Sequence, residues 1–147
     1  MGTPRLYARC VTPIFTHRLE VRFRDCDPLD HVNNAVYLTY LEQARFAHWR
    51  ALWKFRSAEQ SPDIPGVILA RVEIDYRRPA RYGDQLEIRI GLAGIGNTSF
   101  IYDYEIVDAT GSIVATAKSV MVMYDYAAAK PVPVPDSIRQ QLQPAAG

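Results

Sequence analysis

From Ala35 to Lys54 the chain runs for 20 residues without a glycine or a proline, and no other stretch constrains the fold as much. Such a segment makes a helix of roughly 30 Å at the usual helical rise. One stripe carries Tyr37, Tyr40, Leu41, Ala44, His48 and Leu52. The opposite side carries Phe46, Trp49 and Trp53, and only a narrow sector (Thr39, Gln43, Arg50, Lys54) is polar. A helix apolar on two sides must be covered on two sides. A sheet covers one of them; the other needs a second layer, a subunit or a ligand.

The rest of the chain alternates with period two, the signature of half-buried strands. Leu19, Val21 and Phe23 alternate with Glu20, Arg22 and Arg24. Continued, that strand sets Asp25 and Asp27 on the core-facing row until Pro28 ends it. Val72, Ile74 and Tyr76 form a second row, and Leu86, Ile88 and Ile90 a third. Residues Phe100 to Val107 and Ile113 to Tyr126 read as two more strands. The loops are expected at 28–34, at 55–66, at the basic turn 77–84 and at Asp108 to Gly111, and Gly91, Gly94, Gly96 and Asn97 mark a bulged or turning connection. One strand, a long helix and four more strands predict an α+β architecture with a five-stranded antiparallel sheet. The domain is expected over 17–126, after an irregular segment 1–16 and before a proline-rich tail 127–147 with a short helix from Ser137 to Leu142.

Composition removes several function classes. Lys and Arg number 17 against 16 Asp and Glu, a net charge of +1, so bulk charge supports neither nucleic-acid nor membrane-surface binding. No run of 18 apolar residues exists, and no transmembrane helix is expected. The start Met1-Gly2-Thr3-Pro4-Arg5-Leu6 has no apolar signal core, and Leu6 stands where a myristoylation signal needs Ser or Thr. Cys10 and Cys26 make neither a disulfide framework nor a metal-ligand set. A reducing, cytoplasmic setting is expected, with no metal or redox cofactor.

The densest polar cluster is Asp25-Cys26-Asp27-Pro28-Leu29-Asp30-His31-Val32-Asn33-Asn34, just before the long helix. First-turn amides of a helix lack intrahelical acceptors and carry a partial positive charge. They can hold a developing oxyanion, each well-placed donor contributing about 3 kcal/mol. A nearby ionised carboxylate can attack an acyl carbon or draw a proton from water. Acid and amide donors together suit acyl transfer on an activated ester.

The run Val21-Arg22-Phe23-Arg24-Asp25-Cys26-Asp27-Pro28, with His31-Val32-Asn33-Asn34, Tyr37, Tyr40, Glu42 and Ala44-Arg45 after it, resembles the 4-hydroxybenzoyl-CoA thioesterase family of hotdog-fold enzymes. The later Ile74-Asp75-Tyr76-Arg77-Arg78-Pro79-Ala80-Arg81-Tyr82-Gly83-Asp84 and the Lys130 to Pro135 tail fit the same family, so the resemblance covers about 17–142. It implies a sheet wrapped around a long central helix, and hydrolysis of an acyl-CoA at a site between subunits of a homodimer or homotetramer. Coenzyme A enters only as part of the substrate. The family's catalytic Asp falls on Asp27, as nucleophile or as general base. His31 and Asn33 join it, and Asn34, Ala35, Val36 and Tyr37 form the oxyanion region. The family often has glycine where this chain has Asp30.

Each of these residues also has a plainer reading. Asp27 before proline suits a turn. Asp25 is expected to bind loop amides, and Asn33 or Asn34 to cap the helix, with Asn34 preferred. Glu42 and Arg45, three apart, can simply pair along the helix; Glu42 can also face the pocket. Arg77, Arg78 and Arg81 are either a solvated turn or a receptor for CoA phosphates. Two rival activities stay open: hydrolysis of acyl groups from acyl carrier protein, and non-catalytic acyl-CoA binding or assembly.

Overall fold

The structure is a computed structural model and describes residues 11–53 and 66–143. Strand β1 spans Phe15–Glu20, helix α1 Asn34–Trp53, β2 Gly66–Tyr76, β3 Gln85–Ile95, β4 Ser99–Val107, β5 Ile113–Asp125, β6 Lys130–Pro131 and α2 Asp136–Leu142. The expected loop before β2 falls largely on 54–65, outside the described residues, as does most of the segment 1–16.

All pairings are antiparallel and the sheet order is β1-β3-β4-β5-β2, with the two-residue β6 added beside the end of β5. The five expected strands are therefore joined by a short sixth. Strands β3, β4 and β5 send Leu86, Ile88, Ile90, Phe100, Tyr102, Tyr104, Ile106, Met121 and Met123 inward, all buried. Register shifts fall between Leu69 and Arg71, between Leu92 and Gly94 and between Ile106 and Val107. An extra residue on one strand bends it and increases its twist. Three such shifts curl the sheet around α1.

That curvature corrects the two-sided reading of the helix. Tyr37, Tyr40, Leu41, Ala44 and His48 are buried as expected, but so is Trp49, while Phe46 stays 42% exposed. The Trp49 indole donates to the Tyr102 hydroxyl at 3.0 Å, because a wrapped sheet reaches a wider arc of helix than a flat one. Residues after β5 also return to the core, through buried Val134, Ile138 and Leu142. Among the described residues no helix is long and apolar enough to cross a membrane.

One local expectation fails. β1 stops at Glu20, and residues Phe23–Asp25 form a 3-10 turn instead of prolonging the strand. Phe23 is 80% exposed, whereas Asp25 is buried. Two hydrogen bonds cause the change: the Asp25 carboxylate accepts the Arg22 amide at 2.9 Å, and the Asp25 amide donates to the Arg22 carbonyl at 3.0 Å. A short polar side chain that bonds its own backbone offers an alternative to the ladder.

Candidate active site

Asp25 is the post on which the polar cluster stands. Its carboxylate accepts the Arg22 guanidinium at 2.9 Å and the Tyr40 hydroxyl at 2.7 Å, beside the Arg22 amide. Burial alone would raise its pKa; the hydrogen bonds from Arg22 and Tyr40 and the Arg22 charge outweigh that and hold it below the usual carboxylate range. Tyr40 moves the other way, raised by burial and then by its bond to the Asp25 anion. The Asp25 carbonyl accepts the Asn33 amide at 3.0 Å, which fixes where the helix starts.

Between these points the chain makes a closed loop. Cys26 and Val32 form an antiparallel bridge. Inside it the Asp27 amide donates to the His31 carbonyl at 3.0 Å, and the Asp30 amide to the Asp27 carbonyl at 3.0 Å. Pro28 follows Asp27 in this turn, a place its fixed φ suits. Asp30 then takes a φ of 68°, the left-handed region that glycine enters most easily and Asp tolerates better than most residues. This is the position where the resembled family often has glycine; here Asp adopts the conformation that glycine enters most easily and adds a carboxylate. Asp30 itself is exposed.

Asp27 is half-buried, and one of its carboxylate oxygens, Oδ1, accepts the Leu29 amide at 2.9 Å. The turn reading and the catalytic reading are thus compatible. One oxygen orients the group and the other has no hydrogen-bond partner among the described residues. The His31 imidazole, also half-buried, has none either. The Cys26 thiol sits beside this loop, and burial, partly countered by a hydrogen bond from the Tyr82 backbone, raises its pKa. A protonated thiol is a poor nucleophile.

The helix start differs from expectation in one respect. Asn33, not Asn34, is the cap: its Oδ1 accepts the Ala35 amide at 2.9 Å. The Asn33 carbonyl takes the Val36 amide at 2.9 Å. Two amides of the expected oxyanion region are therefore occupied, and the Asn34 amide has no acceptor among the described residues. The Asn34 carbonyl accepts the Tyr76 hydroxyl at 2.9 Å, which seats the end of β2 against the start of α1. Tyr37 contributes a buried ring and not an exposed donor; its hydroxyl accepts the Ala80 amide at 3.1 Å, and burial raises its pKa.

The basic turn lies alongside. The Val32 amide donates to the Ala80 carbonyl at 2.8 Å and the Gly83 amide to the Val21 carbonyl at 3.0 Å. Arg78 and Arg81 are exposed there, whereas Arg77 is half-buried, with two guanidinium nitrogens enclosed. Farther along α1, Glu42 and Arg45 do not form the expected helical pair. Glu42 is exposed; Arg45 is 4% exposed and reaches Tyr104 instead. Its place in a motif of charged residues gave no sign of burial. Among the described residues no group of three His, Cys, Asp or Glu side chains is placed to hold a metal ion.

This arrangement has parallels in known proteins. Residues 21–142 match the thioesterase-like superfamily. The chain is 30% identical over 128 residues to the long-chain acyl-CoA thioesterase FadM of Escherichia coli K12, covering 86% of this chain and 95% of that one. It is 30% identical over 127 residues to a 1,4-dihydroxy-2-naphthoyl-CoA hydrolase of Synechococcus elongatus, covering 84% and 90%. A solved thioesterase of Thermus thermophilus, complexed with coenzyme A and Zn, superposes with a TM-score of 0.76 at 32% identity, covering 90% and 99%. With its helix wrapped by an antiparallel sheet and this match over most of its length, the chain belongs to the hotdog-fold thioesterase-like superfamily.

Proposed function

We propose that this thioester hydrolase cleaves acyl-CoA, and that Asp27 is the group that does so. The observation that carries the reading is the Asp27 carboxylate, held by one oxygen on the Leu29 amide in a loop that leads directly into the α1 N-terminus. The thioester carbonyl oxygen would lie against the Asn34 amide, where the positive end of the helix favours the charge it develops. Asp27 then attacks the carbonyl carbon, expelling the CoA thiolate and leaving an acyl-Asp27 anhydride that water hydrolyses, or it takes a proton from the water that attacks and passes that proton to the departing sulfur. His31 and the Asn33 amide group border the site as positioning groups. The names of the relatives, which act on acyl-CoA thioesters, support the substrate class.

Arg78 and Arg81, exposed on the neighbouring turn, are assigned to the CoA phosphates; Arg77 supports that turn from within. The same exposed arginines, beside exposed Phe23 and Tyr82, would suit the acidic surface of an acyl carrier protein, so both carriers belong in the assay. The free Cys26 thiol agrees with a cytoplasmic setting. The working molecule is read as a homodimer or homotetramer built on β2. That strand is an 11-residue edge with exposed Leu69 and Tyr76, and Leu38, exposed on α1, lines the same groove as Leu69.

The test is thiol release from a panel of acyl-CoAs. Asp27→Asn should lower kcat/KM by about two to four orders of magnitude, with the fold intact by circular dichroism. An Asp27→Asn enzyme as fast as the wild type would refute the assignment. Single-turnover hydrolysis in heavy-oxygen water tests the nucleophile role: label found in the Asp27 carboxylate requires an acyl anhydride on Asp27 that water opens at the Asp27 carbon.

A further inference from the structure

Glu42 and Arg45, which form no ion pair among the described residues, line the same groove. This groove, of about 140 Å³, runs between α1 and the free edge strand, lined by Leu38, Thr39, Glu42 and Arg45 of α1 and by Leu69 and Val72 of β2. Arg45 is 4% exposed, and its Nε is buried with no hydrogen-bond partner. One terminal nitrogen, Nη1, reaches the Tyr104 hydroxyl at 3.5 Å, a weak contact. Nε is enclosed, whereas Nη2 is neither enclosed nor hydrogen-bonded among the described residues and is the nitrogen an incoming acceptor can reach. A carboxylate there makes a charge-assisted hydrogen bond. A buried guanidinium without an anion is costly, so a carboxylate is the group the site lacks.

The groove also holds a carboxylate in need of a cation. Glu42 is exposed and forms no ion pair among the described residues. It precedes Arg45 by three positions, yet the two do not bond within the chain. A lone carboxylate ligand would satisfy Arg45 and leave Glu42 without a cation, whereas a second copy of the chain can answer both charges. Two-fold symmetry brings one surface against itself, so an acid and a base side by side can each find the opposite charge on the other copy. The groove is continuous with the unpaired edge of β2, the surface on which the oligomeric reading above rests.

We infer that Arg45 takes Glu42 of the partner subunit, and Glu42 takes Arg45 of the partner subunit, in a reciprocal ion-pair lock across this groove. The inference rests on the oligomeric reading and adds the contact that sets its register. Its test is sedimentation velocity over a concentration series on full-length wild type, Glu42→Arg, Arg45→Glu and the double exchange. Each single reversal should weaken the dimer by about tenfold or more, and the exchange should recover most of that loss. Because Arg45 is buried and its reversal can unfold the chain, Glu42→Gln, Arg45→Met and their combination are run alongside. Their effects on the dimer constant should couple by about tenfold if the groups meet.

A wild-type dimer unaffected by Glu42→Arg would overturn the lock while leaving the oligomeric reading in place, and would return the groove to a ligand. Single reversals that dissociate the dimer without rescue and without coupling would also overturn it. A wild type monomeric at every concentration would overturn both the lock and the oligomeric reading. The thioesterase assignment is judged separately, by Asp27→Asn.

Discussion

Individual side chains here are tuned mainly by burial. His48 lies in the core, stacked on Phe15 at 5.0 Å, and burial lowers its pKa to about 4. Its tautomer follows from its neighbours. The Trp49 indole can only donate and occupies the Tyr102 oxygen, so the Tyr102 proton goes to His48 Nδ1, 3.0 Å away. The unfolded chain binds a proton at His48 below about pH 6.5, while the folded chain refuses it until about 4. Stability should therefore fall as pH drops through that window, by about 3 kcal/mol once both values are passed. Urea titrations at several pH values should reveal this slope in the wild type and its loss in His48→Gln. The Asp25 carboxylate, held below its usual range, loses its contribution only at more acid pH, so the two events separate. Asp30 makes a second prediction. Asp30→Gly relieves the positive φ but adds unfolded-state freedom, for a net gain of up to about 1 kcal/mol. A thermal melt checks it, with thioester hydrolysis unchanged. The sequence marked Asp25 and Asp27 as residues to explain, and the polar cluster around them was enough to suggest chemistry. It was silent on the burial of Arg45, because a charge is read as solvated until a fold encloses it.

At the scale of elements, the helix start shows how one residue serves two levels. Asn33 caps α1 through its side chain, while its backbone amide is pinned to Asp25. Asn33→Ala should cost about 1 kcal/mol of stability. It should also lower kcat/KM, because the Asn34 amide loses its fixed direction; a urea midpoint and a hydrolysis rate on one preparation read both effects. The periodicities that announced α1 and the strands were strong, since apolar residues recurring at a fixed spacing leave few other ways to bury them. The end of β1 was not legible. Alternation ran on to Phe23, but Asp25 turned the chain by bonding Arg22. A local hydrogen bond of that kind carries no periodic signal. The choice between Asn33 and Asn34 was equally closed to inspection, since two adjacent residues of one type differ only in where the backbone begins to coil.

For the whole molecule, the decisive feature is a sheet that curls around one helix yet leaves β2 unpaired on its outer edge among the described residues. An edge of 11 residues with exposed apolar side chains invites pairing. If pairing stabilises the folded state, the thermal midpoint should rise with protein concentration, a trend absent from a stable monomer. Scanning calorimetry over a hundredfold range of concentration, roughly, would show it. Sequence by itself determined the α+β class, the order of elements and the loop that carries Asp27, because periodicity, proline and the polar cluster are properties of neighbouring residues. Only tertiary structure decided which face of α1 is covered, which first-turn amides remain available and why Arg45 is enclosed at an open groove that Glu42 also lines. Those depend on sheet curvature and on contacts between residues far apart in the chain; the glycines near Gly94 marked one bulge, but the shifts between Leu69 and Arg71 and between Ile106 and Val107 carry no such mark.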